Sequence, residues 1–147
     1  MQKLTAIIVE DNPLALEMLT SDISNNHKGI TLIGTATSVV ETAKLLRKKQ
    51  PDILFLDIML GDGTGFDVLE IFPDLQSKII FVTASDAHAI KAFKFSAIDY
   101  ILKPYSDSDL AIAIEKAKNQ IQPDKAQLEV LQQAVTLPNN TPEKISL

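Results

Sequence analysis

Ile53-Leu54-Phe55-Leu56-Asp57 is four large apolar residues in a row, halted by a carboxylate. A run this short, with no polar alternation, suits a strand covered on both faces rather than one with a wet side. Pro51 closes the segment before it, and the turn Gly61-Asp62-Gly63-Thr64-Gly65 follows soon after. A second run of the same kind, Ala6-Ile7-Ile8-Val9, ends in two more acids, Glu10 and Asp11. Two covered strands that each stop at carboxylates predict one pocket where three negative charges meet. Such a cluster is costly if left uncompensated, so it implies a bound cation.

Outward from that strand, strand-like and helix-like patterns alternate between residues 5 and about 121. The first strand is expected over 5–9. Asn12-Pro13 then gives a helix cap with proline at the first helical position. Leu14, Leu16, Met18, Leu19 and Ile23 are the apolar positions of that helix. A second strand is predicted over 30–34. Ser38 caps a helix over 39–49, in which Val39, Ala43 and Leu46 recur at helical spacing. The third strand covers 53–57 and a short helix 66–71. A fourth strand over 79–83 precedes a helix over about 86–95, and a fifth strand covers 100–102. The last helix starts near Asp107, with Leu110, Ala113, Ile114, Ala117 and Ile121 as its buried stripe. Five strands alternating with five helices predict an α/β fold with a doubly wound parallel sheet. Ligands of such sheets sit at the carboxyl ends of the strands.

Composition narrows the function classes. With 147 residues, 46% of them hydrophobic, the chain has the material for one domain with a real core. It has no cysteine, which excludes disulfides and thiolate metal sites and fits the cytoplasm. Met1-Gln2-Lys3-Leu4 runs straight into the first strand pattern without a basic-then-apolar signal pattern, and no apolar stretch approaches the ~18 residues of a membrane span. A formal charge of −5 disfavours nucleic-acid binding by this segment, because phosphates are held by basic surfaces. After Gln122-Pro123 the character changes. Residues 125–134 could extend as a helix, 137–142 carry turn or linker chemistry, and 143–147 read as a strand just beginning.

Hard divalent ions prefer oxygen ligands, so Glu10, Asp11 and Asp57 together suit Mg²⁺. Acids after strands also cap helices, and for any one of the three that reading is the better one. For all three at neighbouring strand ends it is not. Lys103-Pro104 ends the fifth strand and would aim one positive charge at the cluster; the alternative is an ordinary solvated surface lysine. Thr83 ends the fourth strand with a hydroxyl able to donate to a phosphoryl oxygen, unless it is there for β-propensity alone, and Ala84 beside it is small enough to leave the pocket open. Tyr100 could pack inward or outward, as a two-position switch or as an ordinary half-buried aromatic. The glycine turn matches neither the dinucleotide fingerprint nor the P-loop and reads as a backbone device. His27 and His88 fall on a loop and at a helix start, and neither is expected to take a metal or catalytic role.

These residues, in this order, resemble the receiver domain of two-component response regulators. The resemblance covers residues 3 to about 121 and rests on Glu10-Asp11, Asp57, Thr83, Tyr100 and Lys103-Pro104. It implies a five-stranded flavodoxin-like sheet in the order 2-1-3-4-5, with a receiver over 1–122. It implies that Asp57 accepts a phosphoryl group from a sensor histidine kinase or a phosphotransfer protein, with Mg²⁺ required. Asp11, Asp57 and the backbone carbonyl of Met59 would be metal ligands, with Glu10 acting partly through water. Thr83 and Lys103 would hold the phosphoryl oxygens, Thr83 and Tyr100 would switch, and Pro104 would follow a cis peptide bond. A receiver of this kind is not a true enzyme, although it assists its own phosphorylation and dephosphorylation.

The segments 57–67 and 97–104 are similar to those of LytTR-type transcriptional regulators. The tail 143–147 looks like the opening strand of their DNA-binding domain, with 123–147 as the linker into it. DNA would then be bound by a C-terminal domain absent from this chain. A phosphorylation-dependent homodimer through the fourth helix, fifth strand and fifth helix is a further expectation. Two other readings stand beside this one. A stand-alone receiver could shuttle phosphate or bind a target, and the strand-like tail argues against it. A Mg²⁺-dependent phosphohydrolase would need a general acid or base, and Asp57 is followed by Ile58-Met59 instead.

Overall fold

The computed structural model describes residues 3–121. Ten elements follow in strict alternation: β1 (Leu4–Val9), α1 (Pro13–Asn26), β2 (Ile30–Ala36), α2 (Val39–Lys48), β3 (Ile53–Leu56), α3 (Gly65–Ile71), β4 (Lys78–Thr83), α4 (Ala89–Lys94), β5 (Asp99–Leu102) and α5 (Asp107–Ile121). All strand pairs are parallel, in the order β2-β1-β3-β4-β5. The fold is the one expected. The chain divides into two compact units, Met1–Ala117 and Lys118–Leu147. The sheet lies in the first, and of the second only the final turn of α5 is described. The expected helix over 125–134, linker over 137–142 and strand over 143–147 lie outside the described residues.

The three central strands explain the unbroken apolar runs. Ile7 and Ile8 of β1, Leu54, Phe55 and Leu56 of β3, and Ile80 and Phe81 of β4 are all buried, so both faces of the sheet are covered. Each such side chain contributes about 1.5–3 kcal/mol on burial. Val9 sits opposite Leu56 in the β1–β3 register, which brings the chain segments after both strands side by side. The Asp57 N–H extends that ladder by donating to the Val9 carbonyl at 3.0 Å.

Helix ends follow the local chemistry. Asn12 caps α1 by accepting the Ala15 N–H at 2.9 Å, with Pro13 at the first helical position. Ser38 caps α2 by accepting the Glu41 N–H at 3.0 Å. Thr64 and Asp67 form a reciprocal capping box at the start of α3.

Three expectations change. In α1 only Leu19 and Ile23 are buried, whereas Leu14 and Met18 are 64% and 57% exposed. At 3.6 residues per turn, Leu19 and Ile23 share one stripe and the other two point well away from it. Strand β2 runs on to Ala36, because Val9 has a partner there. Helix α4 is shorter than 86–95: His88 gives it no side-chain cap, and Ser96 ends it with φ of +65°. In α5, Leu110, Ala113, Ile114 and Ala117 are buried, and the side chain of Ile121 lies outside the described residues.

The glycine turn is required by close approach. A Cβ on Gly65 would penetrate the Asp57 carbonyl oxygen and lie 2.9 Å from Leu56 Cγ. Only glycine lets α3 start this near the end of β3, and Gly61 adopts a φ of +74°.

Candidate functional site

Glu10, Asp11 and Asp57 meet at the carboxyl ends of β1 and β3, each offering an oxygen within 4.8 Å of the others. Glu10 and Asp57 are buried and Asp11 is exposed. Parallel pairing of β1 with β3 produces this juxtaposition, since both strands end at the same level. The Asp57 carboxylate is oriented by its own chain and by a cation. Its Oδ1 accepts the Ile58 N–H at 2.7 Å, and its Oδ2 accepts from Lys103 Nζ at 3.1 Å.

Lys103 reaches the cluster because β5 pairs with β4, and its N–H donates to the Thr83 carbonyl at 2.9 Å. The ammonium is shared, donating to Glu10 Oε1 as well as to Asp57. The Lys103–Pro104 peptide is cis. Burial pushes the Glu10 carboxyl above its ordinary range, more than Lys103 and the Asn12 N–H pull it back. Burial alone would lower the Lys103 ammonium, but its hydrogen bonds to Glu10 and Asp57 outweigh that and hold it above its ordinary value. Three carboxylates thus face one ammonium. The excess of negative charge and the all-oxygen donor set fit a hard divalent cation such as Mg²⁺.

Thr83 is buried at the end of β4, and its Oγ1 accepts the Ser85 N–H at 3.3 Å. That leaves the hydroxyl proton free to donate elsewhere. Tyr100 is half-buried, and its hydroxyl donates to the Ser85 carbonyl. Ser85 therefore links the two positions, although Thr83 and Tyr100 make no hydrogen bond to each other among the described residues. The Tyr100 ring also packs on Phe81, with centroids 6.1 Å apart. Met59 is 56% exposed and forms an isolated antiparallel bridge with Thr64. Ala84 is exposed, next to the pocket. The His88 ring lies tilted against Phe66, with centroids 5.9 Å apart, and His27 caps the end of α1.

Two residues near the site carried no sequence signal. Tyr105, just past the cis proline, donates its hydroxyl to Asp22 of α1 at 3.1 Å, and burial first, then Asp22, raises its phenol well above the usual range. Asp62, in the glycine turn, accepts from the start of α2. Their partners lie 83 and 22–23 residues away, and no local pattern encodes such pairs.

Comparison with known proteins gives a consistent result. Residues 6–115 match the family model of the response regulator receiver domain. The sensory transduction protein LytT of Enterococcus faecalis is 40% identical over 140 residues, covering 94% of this chain and 52% of that protein. LytT of Bacillus anthracis is 36% identical over 132 residues, covering 88% and 52%. The crystal structure of the response regulatory domain of protein mrkE from Klebsiella pneumoniae superposes with a TM-score of 0.75 at 29% identity, covering 82% of this chain and all of that one. The chain spans about half the length of the curated relatives it matches. Among the described residues, no helix is long and apolar enough to cross a membrane.

Proposed function

The chain belongs to the response regulator receiver family, and from that membership we propose that Asp57 is the phosphoacceptor of a two-component signalling system. A carboxylate oxygen of Asp57 attacks the phosphorus of a phosphohistidine on a sensor kinase; the P–O bond forms as the P–N bond breaks, and the imidazole leaves. The observation that carries this reading is the shared ammonium. Lys103 holds Glu10 and Asp57 at once, in a cluster whose oxygens lie within 4.8 Å. It is fixed in advance where charge would develop on a transferring phosphoryl group.

Asp11, Asp57 and the Met59 carbonyl would hold Mg²⁺, with Glu10 contributing partly through water. Bound there, the ion would neutralise charge on the phosphoryl oxygens during transfer. Asp57 keeps Oδ1 on the Ile58 N–H, which leaves Oδ2, now on Lys103, as the oxygen to be exchanged onto phosphorus.

The phosphoryl group adds roughly two negative charges and new acceptor oxygens. Thr83 and Lys103 would turn to them, and the loss of the Thr83 bond to Ser85 would reach Tyr100 through the Ser85 carbonyl. The surface that responds is the one made by α4, β5 and α5, where Ile90, Phe93, Leu102 and Ile112 are exposed. Phosphorylation-dependent homodimerisation through it is part of the proposal, and a beryllofluoride-treated sample that sediments as a monomer at high concentration argues against it. The output proposed is transcription, through a LytTR-type DNA-binding domain beyond residue 147. The reading frame downstream of that residue tests this directly.

The phosphoacceptor reading is tested by intact mass after incubation with acetyl phosphate. The expected result is a Mg²⁺-dependent gain of one phosphoryl group, lost in Asp57→Asn. No gain in the wild type from either acetyl phosphate or a phosphohistidine donor overturns it.

A further inference from the structure

Asp62 sits in a turn that offers only backbone chemistry in the sequence, yet both its carboxylate oxygens are engaged. Oδ1 accepts the Val39 N–H at 2.8 Å, and Oδ2 accepts the Val40 N–H at 3.2 Å. These are the first two amides of α2, which have no intrahelical partner. The third, Glu41, is taken by the Ser38 hydroxyl. Two hydrogen bonds to a carboxylate at a helix start are charge-assisted and favoured by the helix dipole. Correspondingly, the Val39 N–H holds the Asp62 carboxyl below its ordinary range.

The other end of this bridge is the turn that carries Met59. The turn is closed on itself: Asp62 N–H donates to the Leu60 carbonyl at 2.7 Å, Leu60 N–H to Gly63 at 3.0 Å, and Gly65 N–H to Ile58 at 2.8 Å. It also packs beside the acidic cluster, since a Cβ on Gly61 would lie 3.9 Å from Asp11 Oδ2. The turn cannot swing away from Asp11 as a unit without breaking both bonds to α2.

We propose that Asp62 is a positioning residue for the divalent-cation site: its bridge to the start of α2 holds the turn, and with it the Met59 carbonyl, in register with Asp11 and Asp57. This rests on the receiver reading given above. Asp62 touches neither the cation nor the phosphoryl group. It acts through the backbone that supplies a ligand, as groups behind the ligands of metal sites do.

The test is a Mg²⁺ titration of the unphosphorylated 147-residue chain, followed by backbone amide chemical shifts, alongside the melting temperature without Mg²⁺. Three variants are compared with the wild type. Asp62→Ala removes both bonds, and Asp62→Asn keeps one acceptor oxygen. Ser38→Ala removes the separate cap of α2 and leaves the bridge intact. Expected is Mg²⁺ binding about tenfold weaker in Asp62→Ala and intermediate in Asp62→Asn. Ser38→Ala should lower the melting temperature while binding Mg²⁺ as the wild type does. Wild-type affinity in Asp62→Ala overturns the proposal, as does equal weakening in Ser38→Ala, which would mean that the site follows the stability of α2 in general. A wild type that binds no Mg²⁺ overturns the proposed Mg²⁺-dependent phosphoacceptor chemistry, and this inference with it.

Discussion

Replacing Lys103 by methionine removes a charge and keeps most of an apolar stem. Lys103 Nζ is the ammonium shared by Glu10 and Asp57, and the two acid side chains are only 4% and 7% exposed, against 22% for the lysine. Breaking a fully buried pair by deleting one partner costs about 3–5 kcal/mol, because the survivor is left charged and dry. Lys103 keeps some contact with solvent, so a loss of roughly 2–3 kcal/mol at neutral pH is expected without Mg²⁺. In melting temperature that is of the order of 5–10 °C for a domain of this size. Glu10 can relieve part of the loss by taking up a proton. Glu10 is already raised by burial, and without Lys103 it rises further above its unfolded value. The deficit is therefore absent below the ordinary carboxylate range and grows as pH rises through the raised one. Mg²⁺ should also recover part of it, since a ligand of the folded state stabilises by mass action. Urea unfolding followed by circular dichroism, at acid and neutral pH with and without Mg²⁺, measures all of this. A variant as stable as the wild type at neutral pH, or a deficit that ignores pH, would refute the electrostatic reasoning.

Glu10→Gln should do the opposite. Because the Glu10 carboxyl is raised in the folded state, chiefly by burial, its ionisation opposes folding above that raised value and has no effect below the ordinary range. Without Mg²⁺ the variant should therefore be the more stable protein at neutral pH, with the advantage vanishing as pH falls through the carboxylate window; urea midpoints against pH report it, and a wild type more stable at neutral pH contradicts it. Gly65→Ala should destabilise by about 3 kcal/mol or more, although alanine is the better helix former by about 1 kcal/mol. The new Cβ would meet the Asp57 carbonyl oxygen, which cannot retreat without moving the acceptor. Thermal unfolding checks this, and an unchanged or raised melting temperature would be the wrong sign.

Much of this was legible in the sequence, for physical reasons. Central parallel strands must be apolar on both faces, so Ile53-Leu54-Phe55-Leu56 announces β3 without any alternation to confuse it. Acids at the ends of such strands have few places to go, and Glu10, Asp11 and Asp57 do meet. Helix α1 was harder, since Leu14 and Met18 are apolar and yet exposed, and periodicity cannot separate a core stripe from a surface one when both are present. Helix α4 was overestimated because neither a cap at His88 nor the left-handed Ser96 has a distinctive residue type. The bridges from Asp62 to α2 and from Tyr105 to Asp22 depend on tertiary proximity alone.

Asp57, among three neighbouring acids, is the residue proposed to carry the phosphoryl group. Borohydride reduces an acyl phosphate to the alcohol, so treating the phosphorylated chain converts the acceptor aspartate to homoserine, which peptide mass mapping then locates. Homoserine at position 57, with Glu10 and Asp11 unmodified, is the predicted result. Reduction at Asp11, at Glu10 or outside the cluster would contradict it.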